Sequence, residues 1–129
     1  MQYWKFFDYL SDQGKNYIEV WLNGLAIQAQ EDFYALLLIL RKERQWKHEP
    51  YYKALNIGKA SGLGEIRFKG DRKQLRVIGA DGKSPSSYVL FLGCSHKGKV
   101  YDPPSAFETA AKRKRNFETG IGSTNERKS

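Results

Sequence analysis

A chain of 129 residues, 40% apolar and 14% aromatic, has enough oily material for one compact core and too little length to call for a second domain. Its formal charge of +8 is unevenly spread: residues 1–40 hold two basic and five acidic residues, a balance of −3, whereas residues 41–129 hold twenty and nine, a balance of +11. That asymmetry points the later part toward a polyanion, whether RNA, DNA or an acidic protein. It points away from an acidic membrane surface, because no basic amphipathic helix with a hydrophobic anchor is evident.

One cysteine, Cys94, has no partner for an internal disulfide, and the opening MQYWKFFDYL lacks the charged-then-apolar layout of a signal peptide. The longest apolar run, Ala35 to Leu40, is far short of the ~20 residues that span a bilayer. A soluble, cytoplasmic protein is therefore expected.

In chain order, the aromatic-rich stretch from Tyr3 to Leu10 reads as a strand that ends at the turn cluster Ser11-Asp12-Gln13-Gly14. From Asn16, a fair N-cap, Ile18, Trp21, Leu22 and Leu25 fall at helical spacing. Asn23-Gly24 breaks that helix, and a longer one is predicted over Leu25 to Arg44, with Ala29, Phe33, Leu36, Leu37 and Leu40 on one stripe. Gln45 to Ser61 reads as a long connecting loop.

The next stretch is the most informative. In GEIRFKGDRKQLRV, Ile66 and Phe68 alternate with Glu65, Arg67 and Lys69, while Leu75 and Val77 alternate with Gln74 and Arg76. Pairing Phe68 with Leu75 and Ile66 with Val77 gives a hairpin whose loop is Gly70-Asp71-Arg72-Lys73. The same register sets Arg67 opposite Arg76, which is unfavourable by roughly 0.2–1 kcal/mol unless an anion or a carboxylate lies between them. Ser87 to Leu92 is apolar on both faces and belongs in the middle of the sheet. Cys94 to Lys99 reads as a basic loop. A helix follows, capped by Asp102 or Ser105, with Ser105 and Glu108 at capping-box spacing and Lys112-Arg113-Lys114-Arg115 at its end. Residues 1–117 then form the domain, and the tail 118–129, with little to bury, is expected to be disordered.

Metal and cofactor chemistry have little support. His48, His96 and Cys94 stand at no familiar ligand spacing, and no phosphate-binding loop, dinucleotide fingerprint or nucleophile elbow appears. What remains is a set of cations and proton carriers, Arg67, Arg76, His96, Lys97, Lys99 and Tyr101, that chain order brings toward one face. Cleavage of RNA by its own 2′-hydroxyl needs such a set: a base, an acid for the leaving 5′-oxygen, and donors for the charge growing on phosphorus. Arginine suits the last role, because its fork stays charged and reaches two phosphate oxygens. Arg67 is equally suited to a framework role, salt-bridged to Glu65 or another carboxylate.

The ordered set WKFFDYL, VWLNGL, GEIRFKGDRKQLRV, YVLFLG with its basic loop SHKGK, and AFETAAKRK resembles the RelE/ParE superfamily of type II toxin–antitoxin systems, most closely its phage-derived HigB-like branch. The resemblance covers roughly Trp4 to Arg115. It implies an α+β fold: an N-terminal strand and helical hairpin on one face of a twisted, mainly antiparallel sheet, plus a C-terminal helix. It also implies a ribosome-dependent mRNA endonuclease, working without metal or cofactor, with a cognate antitoxin of helix-turn-helix type as partner. Arg76 takes the place of the family's catalytic arginine, and Arg67 that of the arginine in its ELR-like strand. Lys97 and His96 lie in the basic loop, and Tyr101 either takes the place of a C-terminal tyrosine used by some members or locks that loop. Lys69, Arg72, Lys73, Lys99, Lys112 and Arg113 are the candidate RNA contacts. The superfamily also holds gyrase inhibitors of ParE type that cut nothing, and members that bind nucleic acid without cleaving it are a third possibility.

Overall fold

The structure, a computed structural model, describes residues 2–56, 58–60 and 62–128. Ile57 and Ser61 of the stretch read as a loop, and the chain ends Met1 and Ser129, lie outside the described residues.

Among the described residues, seven strands and three α-helices follow one another as β1 (Lys5–Leu10), α1 (Tyr17–Asn23), α2 (Ile27–Arg41), β2 (Tyr52–Leu55), β3 (Leu63–Gly70), β4 (Lys73–Asp81), β5 (Ser87–Lys97), β6 (Val100–Asp102), α3 (Ala106–Glu118) and β7 (Ser123–Glu126). They build a mixed, mainly antiparallel sheet in the order β2-β3-β4-β5-β1-β7, with β6 on β5. Only the β1–β5 pair is parallel among these ladders. As the apolar run SYVLFL predicts, β5 is central. The result is a small α+β domain with its helical hairpin on one face.

Strand alternation divides the apolar residues between two cores. Ile66, Val77 and Leu90 meet Ile18 and Leu22 of α1 and Phe33, Leu37 and Leu40 of α2 on one face. Ile78, Val89, Phe91 and Cys94 meet Ala106 and Ala110 of α3 on the other. The small alanines let α3 lie close to the sheet, so the face opposite the helical hairpin is covered over much of its length. Gly93 serves a similar purpose under α1, since a Cβ there would fall 2.0 Å from the Trp21 ring.

Local signals in the sequence act where expected in several places. The Asn16 side chain accepts from the Glu19 amide at 3.0 Å and caps α1. The β3–β4 register is the predicted one, with Ile66 opposite Val77, Phe68 opposite Leu75 and Arg67 opposite Arg76. Its two-residue turn puts Asp71 and Arg72 at φ of 50° and 61°, the left-handed pair that matches the twist of the flanking strands.

Other expectations need correction. Helix α2 is shorter than predicted at both ends, Ile27–Arg41, so Arg44 lies outside it. The stretch from Gln45 onward contains the edge strand β2, and it is held down by Trp46, which is fully buried against the Phe6, Tyr52 and Tyr88 rings at 5.0 to 5.3 Å. Cys94 to Lys99 is not a loop, because β5 runs on to Lys97 and turns through Gly98, at a φ of 62°, into β6. Ser105 precedes α3 without a side-chain capping bond.

The largest correction concerns the tail. Residues Ser123–Glu126 pair with β1 from Leu10 to Phe7 as strand β7. Hydrophobic periodicity is blind to it because the strand needs no apolar side chain: its main chain satisfies the otherwise open edge of β1. Arg127 then anchors it. Its guanidinium, 3% exposed, lies 3.0 Å from the Asp8 carboxylate and also pairs with Glu19, while its carbonyl accepts from the Arg41 guanidinium at 2.7 Å. No helix among the described residues is long and apolar enough to cross a membrane.

Replacing Arg127 by Ala strands the buried Asp8 carboxylate without its main cation. Urea denaturation of Arg127→Ala should show a loss of about 3–5 kcal/mol, the usual cost of breaking a buried ion pair. A loss below about 1 kcal/mol would mean that β7 contributes little to the fold.

Candidate functional site

At the end of the sheet away from β7, three strands present polar residues on one face. Glu65, Arg67 and Lys69 alternate along β3, Gln74 and Arg76 along β4, and Cys94 and His96 along β5, with Arg76 between Arg67 and Cys94 across the ladders. The β6 strand lies beyond β5 and sets Tyr101 beside His96.

Glu65 is at the centre and fully buried. Arg76 Nε lies 2.9 Å from Glu65 Oε2, and Arg67 Nη2 lies 3.7 Å from Glu65 Oε1. The Tyr101 hydroxyl donates to Glu65 Oε1 at 2.6 Å. The two opposed arginines therefore share a carboxylate supplied by the chain itself. Arg67, half-buried, has a second acidic neighbour, the exposed Glu49, at 3.6 Å. Arg76 is 7% exposed and also donates from Nη1 to the Leu75 carbonyl at 2.9 Å.

His96 completes the group. Its Nδ1 stands 3.5 Å from Arg76 Nη2, at the limit of hydrogen bonding, and its ring is 4.6 Å from that of Tyr101. An arginine proton aimed at Nδ1 favours the tautomer that leaves Nε2 protonated. Tyr101 in turn packs on Phe107 at 4.7 Å, so α3 braces the site from behind.

Burial, then the hydrogen bond and charge of Glu65, push the Tyr101 hydroxyl well above its ordinary range. Its proton is committed to Glu65, so it is a fixed donor and not a base. Burial first and the Glu65 charge second push the Cys94 thiol from 9.0 up to about 12, which leaves no reactive thiolate.

A groove of about 660 Å³ opens beside the two arginines, lined by Arg67, Lys69, Gln74 and Arg76 and by Asp32, Glu49, Tyr51 and Phe68 among others, while Glu65, His96 and Tyr101 lie outside its lining. Of the five predicted catalytic residues, four converge: Arg67, Arg76, His96 and Tyr101. Lys97 does not join them, because alternation along β5 sends it to the face opposite His96.

The candidate RNA contacts separate into two groups. Pairing of Gln74 with His96 sets the β3–β4 turn next to the β5–β6 turn, so the exposed Lys69, Arg72, Lys73, Lys97 and Lys99 gather at one end of the sheet. Lys112 is exposed on α3, beside Glu108 and Arg115. Arg113 is a framework residue, donating to the Phe91 carbonyl at 2.8 Å and lying 3.5 Å from the Tyr17 ring centre. Burial lowers its pKa. No family model matches the chain, and no curated protein or solved structure matches it. The site is therefore read from its own geometry.

From sequence alone Glu65 reads as no more than a partner for Arg67, although it is the hub. The signal is present in GEIRF, where a carboxylate two residues before Arg67 must share its face. Among the described residues, no group of three or more His, Cys, Asp or Glu is arranged to hold a metal ion.

Removing Arg76 alone leaves a buried carboxylate without its nearest cation, whereas removing both charges does not. Arg76→Ala should cost about 3–5 kcal/mol in urea unfolding, and adding Glu65→Gln should recover a large part of it. Additive losses in the double variant would show that the two side chains do not act as a pair.

The thiol and the tyrosine titrate at higher pH folded than unfolded, so the folded chain keeps protons that the unfolded chain has lost. Stability contributed by Cys94 should be complete below about pH 9 and decline as pH rises toward about 12. In accord with this, iodoacetamide at about pH 8 should label Cys94 only after unfolding. Rapid labelling of the native protein at that pH would contradict it.

Proposed function

We propose that the chain is a toxin of RelE/ParE type, a ribosome-dependent endonuclease that cuts mRNA and is held in check by a cognate antitoxin. The observation that carries this reading is the meeting of Arg67 and Arg76 at an open groove, with His96 beside Arg76 and a cluster of exposed cations on the adjoining turns. The small α+β architecture agrees with the fold that the sequence resemblance implies.

In this reading a phosphodiester enters across the turn lysines and displaces the exposed Glu49 from Arg67. The 2′-hydroxyl attacks the adjacent phosphorus after giving up its proton, and the 5′-oxygen leaves with a proton. The products are a 2′,3′-cyclic phosphate and a 5′-hydroxyl. Arg67 and Arg76 bind the non-bridging oxygens as their charge grows. His96 is the group placed to move protons, since Tyr101 is committed to Glu65 and Lys97 lies on the other face. Tyr101 and Glu65 act as positioning residues that fix the Arg76 guanidinium, so removing either one affects stability as much as catalysis.

One observation favours a second reading. Arg76 is already compensated by Glu65 inside the protein, which suits a docking surface that binds nucleic acid or inhibits a partner without cutting. The two readings separate on the products: cleaved mRNA in translating cells, against a DNA-damage response or intact message.

Because His96 and Arg67 are only partly buried, their alanine variants should remain folded. With translating ribosomes, His96→Ala should slow mRNA cleavage by about 100-fold or more and relieve growth arrest, and Arg67→Ala should act in the same direction. Undiminished toxicity in a folded His96→Ala protein would remove His96 from the mechanism. Intact mRNA with the unaltered protein would remove the nuclease reading.

A further inference from the structure

Helix α2 is more hydrophobic than its packing needs. Its inner stripe, Ala29, Phe33, Leu36, Leu37 and Leu40, is buried against the sheet and α1. Yet its outer side keeps Ile27 68% exposed, Leu38 51% and Ile39 48%. These three are half of the large hydrophobic residues left exposed among the described residues, gathered on one helix. The stretch from Ala35 to Leu40 is apolar all round, and such a helical segment is normally covered all round.

At 100° per residue, Glu31, Ala35, Leu38 and Lys42 fall on one narrow strip directly opposite the core-facing stripe. Their spacing, four, three and four residues, is that of a seam between two helices. The strip is also self-complementary. When two copies of α2 cross antiparallel about a two-fold axis midway between Leu36 and Leu37, residues whose numbers sum to the same value stand level. Glu31 of each copy then meets Lys42 of the other, and Ala35 meets Leu38. The two charge pairs flank an apolar centre at levels roughly 16 Å apart, from a rise of about 1.5 Å per residue. Ile39 and Ile27 extend the apolar contact at its margins. Both Glu31 and Lys42 are exposed, and among the described residues neither makes an ion pair within the chain.

We propose that the outer face of α2 is the contact between two copies of this chain, arranged as an antiparallel helix pair with two-fold symmetry. Two-fold contacts require one patch to complement itself, and the Glu31 to Lys42 strip does so in both charge and shape. The face lies on the opposite side of the sheet from Glu65 and His96, so pairing leaves His96 and the basic turns of both copies open. A dimer then carries two cationic ends, one from each subunit.

Sedimentation equilibrium of the full chain tests the arrangement. The unaltered protein should show a reversible monomer–dimer equilibrium. Leu38→Glu should weaken it by about tenfold or more, because the charge falls in the apolar centre. Glu31→Lys should also weaken it, placing Lys beside Lys twice. Glu31→Lys combined with Lys42→Glu should restore it, since each swapped pair again joins opposite charges. All three variants change exposed side chains, and far-ultraviolet circular dichroism should confirm an unchanged fold. A strictly monomeric protein would overturn the proposal, whether or not another protein covers this face. So would a dimer that survives Leu38→Glu, or a charge-swapped double variant that associates no better than the single one.

Discussion

A carboxylate with no access to water organises one end of this protein. Glu65 sits under two arginines that strand pairing forces to face each other, and it takes a hydrogen bond from Tyr101. Without it, Arg67 opposite Arg76 would be a repulsive cross-strand pair of roughly 0.2–1 kcal/mol. With it, the arrangement becomes a buried ionic cluster whose disruption costs several times more. Attraction to the carboxylate outweighs the repulsion and fixes the orientation of Arg76. Tyr101 and Cys94 hold their protons firmly chiefly because each is itself buried, and secondly because each would place a second anion beside Glu65.

The rest of the fold serves that end of the sheet from both sides. Helices α1 and α2 fill the face carrying Phe68 and Val77, and α3 fills the opposite face up to Tyr101 through Phe107. What stays open is the margin where β3 runs on past Arg67, beyond the last residue of its ladder with β2. The groove lies there, and its two arginines, like His96 beside Arg76, are carried on strands. Their geometry is thus fixed by backbone pairing rather than by loops.

Much of this is legible in the sequence where local patterns and tertiary structure agree. The hairpin register, the opposition of Arg67 and Arg76, the capping by Asn16 and the central place of Ser87 to Leu92 all follow from alternation and capping chemistry. The missed strands share one cause. Strands β2, β6 and β7 are short, lie at edges or ends of ladders, and bury at most one residue each. They exist because neighbouring main chains need partners, which side-chain periodicity cannot report. Pairing between distant residues is equally invisible: Arg127 with Asp8 spans 119 positions, and Tyr101 with Glu65 spans 36. Lys97 is misplaced for a simpler reason, since reading a strand as a loop removes the parity that sends it to the far face.

Cations in this protein divide by type as well as by place. Those drawn into the interior are arginines, and the chain supplies each with a negative or carbonyl partner: Glu65 for Arg76, Asp8 for Arg127, the Phe91 carbonyl for Arg113 and the Arg127 carbonyl for Arg41. A planar, always charged fork is suited to such sites, whereas lysine is costly to bury. The cations left to solvent beside the groove are mostly lysines, on two adjacent turns with Asp71 between them. The net charge of +8 therefore overstates what the interior offers and understates what the turns offer. In the proposed reading, a polyanion approaching this face would meet solvated lysines first, and these would set attraction and salt dependence. Only then would it reach the fixed Arg67 and Arg76, which would set geometry. Attraction and positioning would thus fall to different residues, lysines on the two turns and arginines on the β3–β4 hairpin.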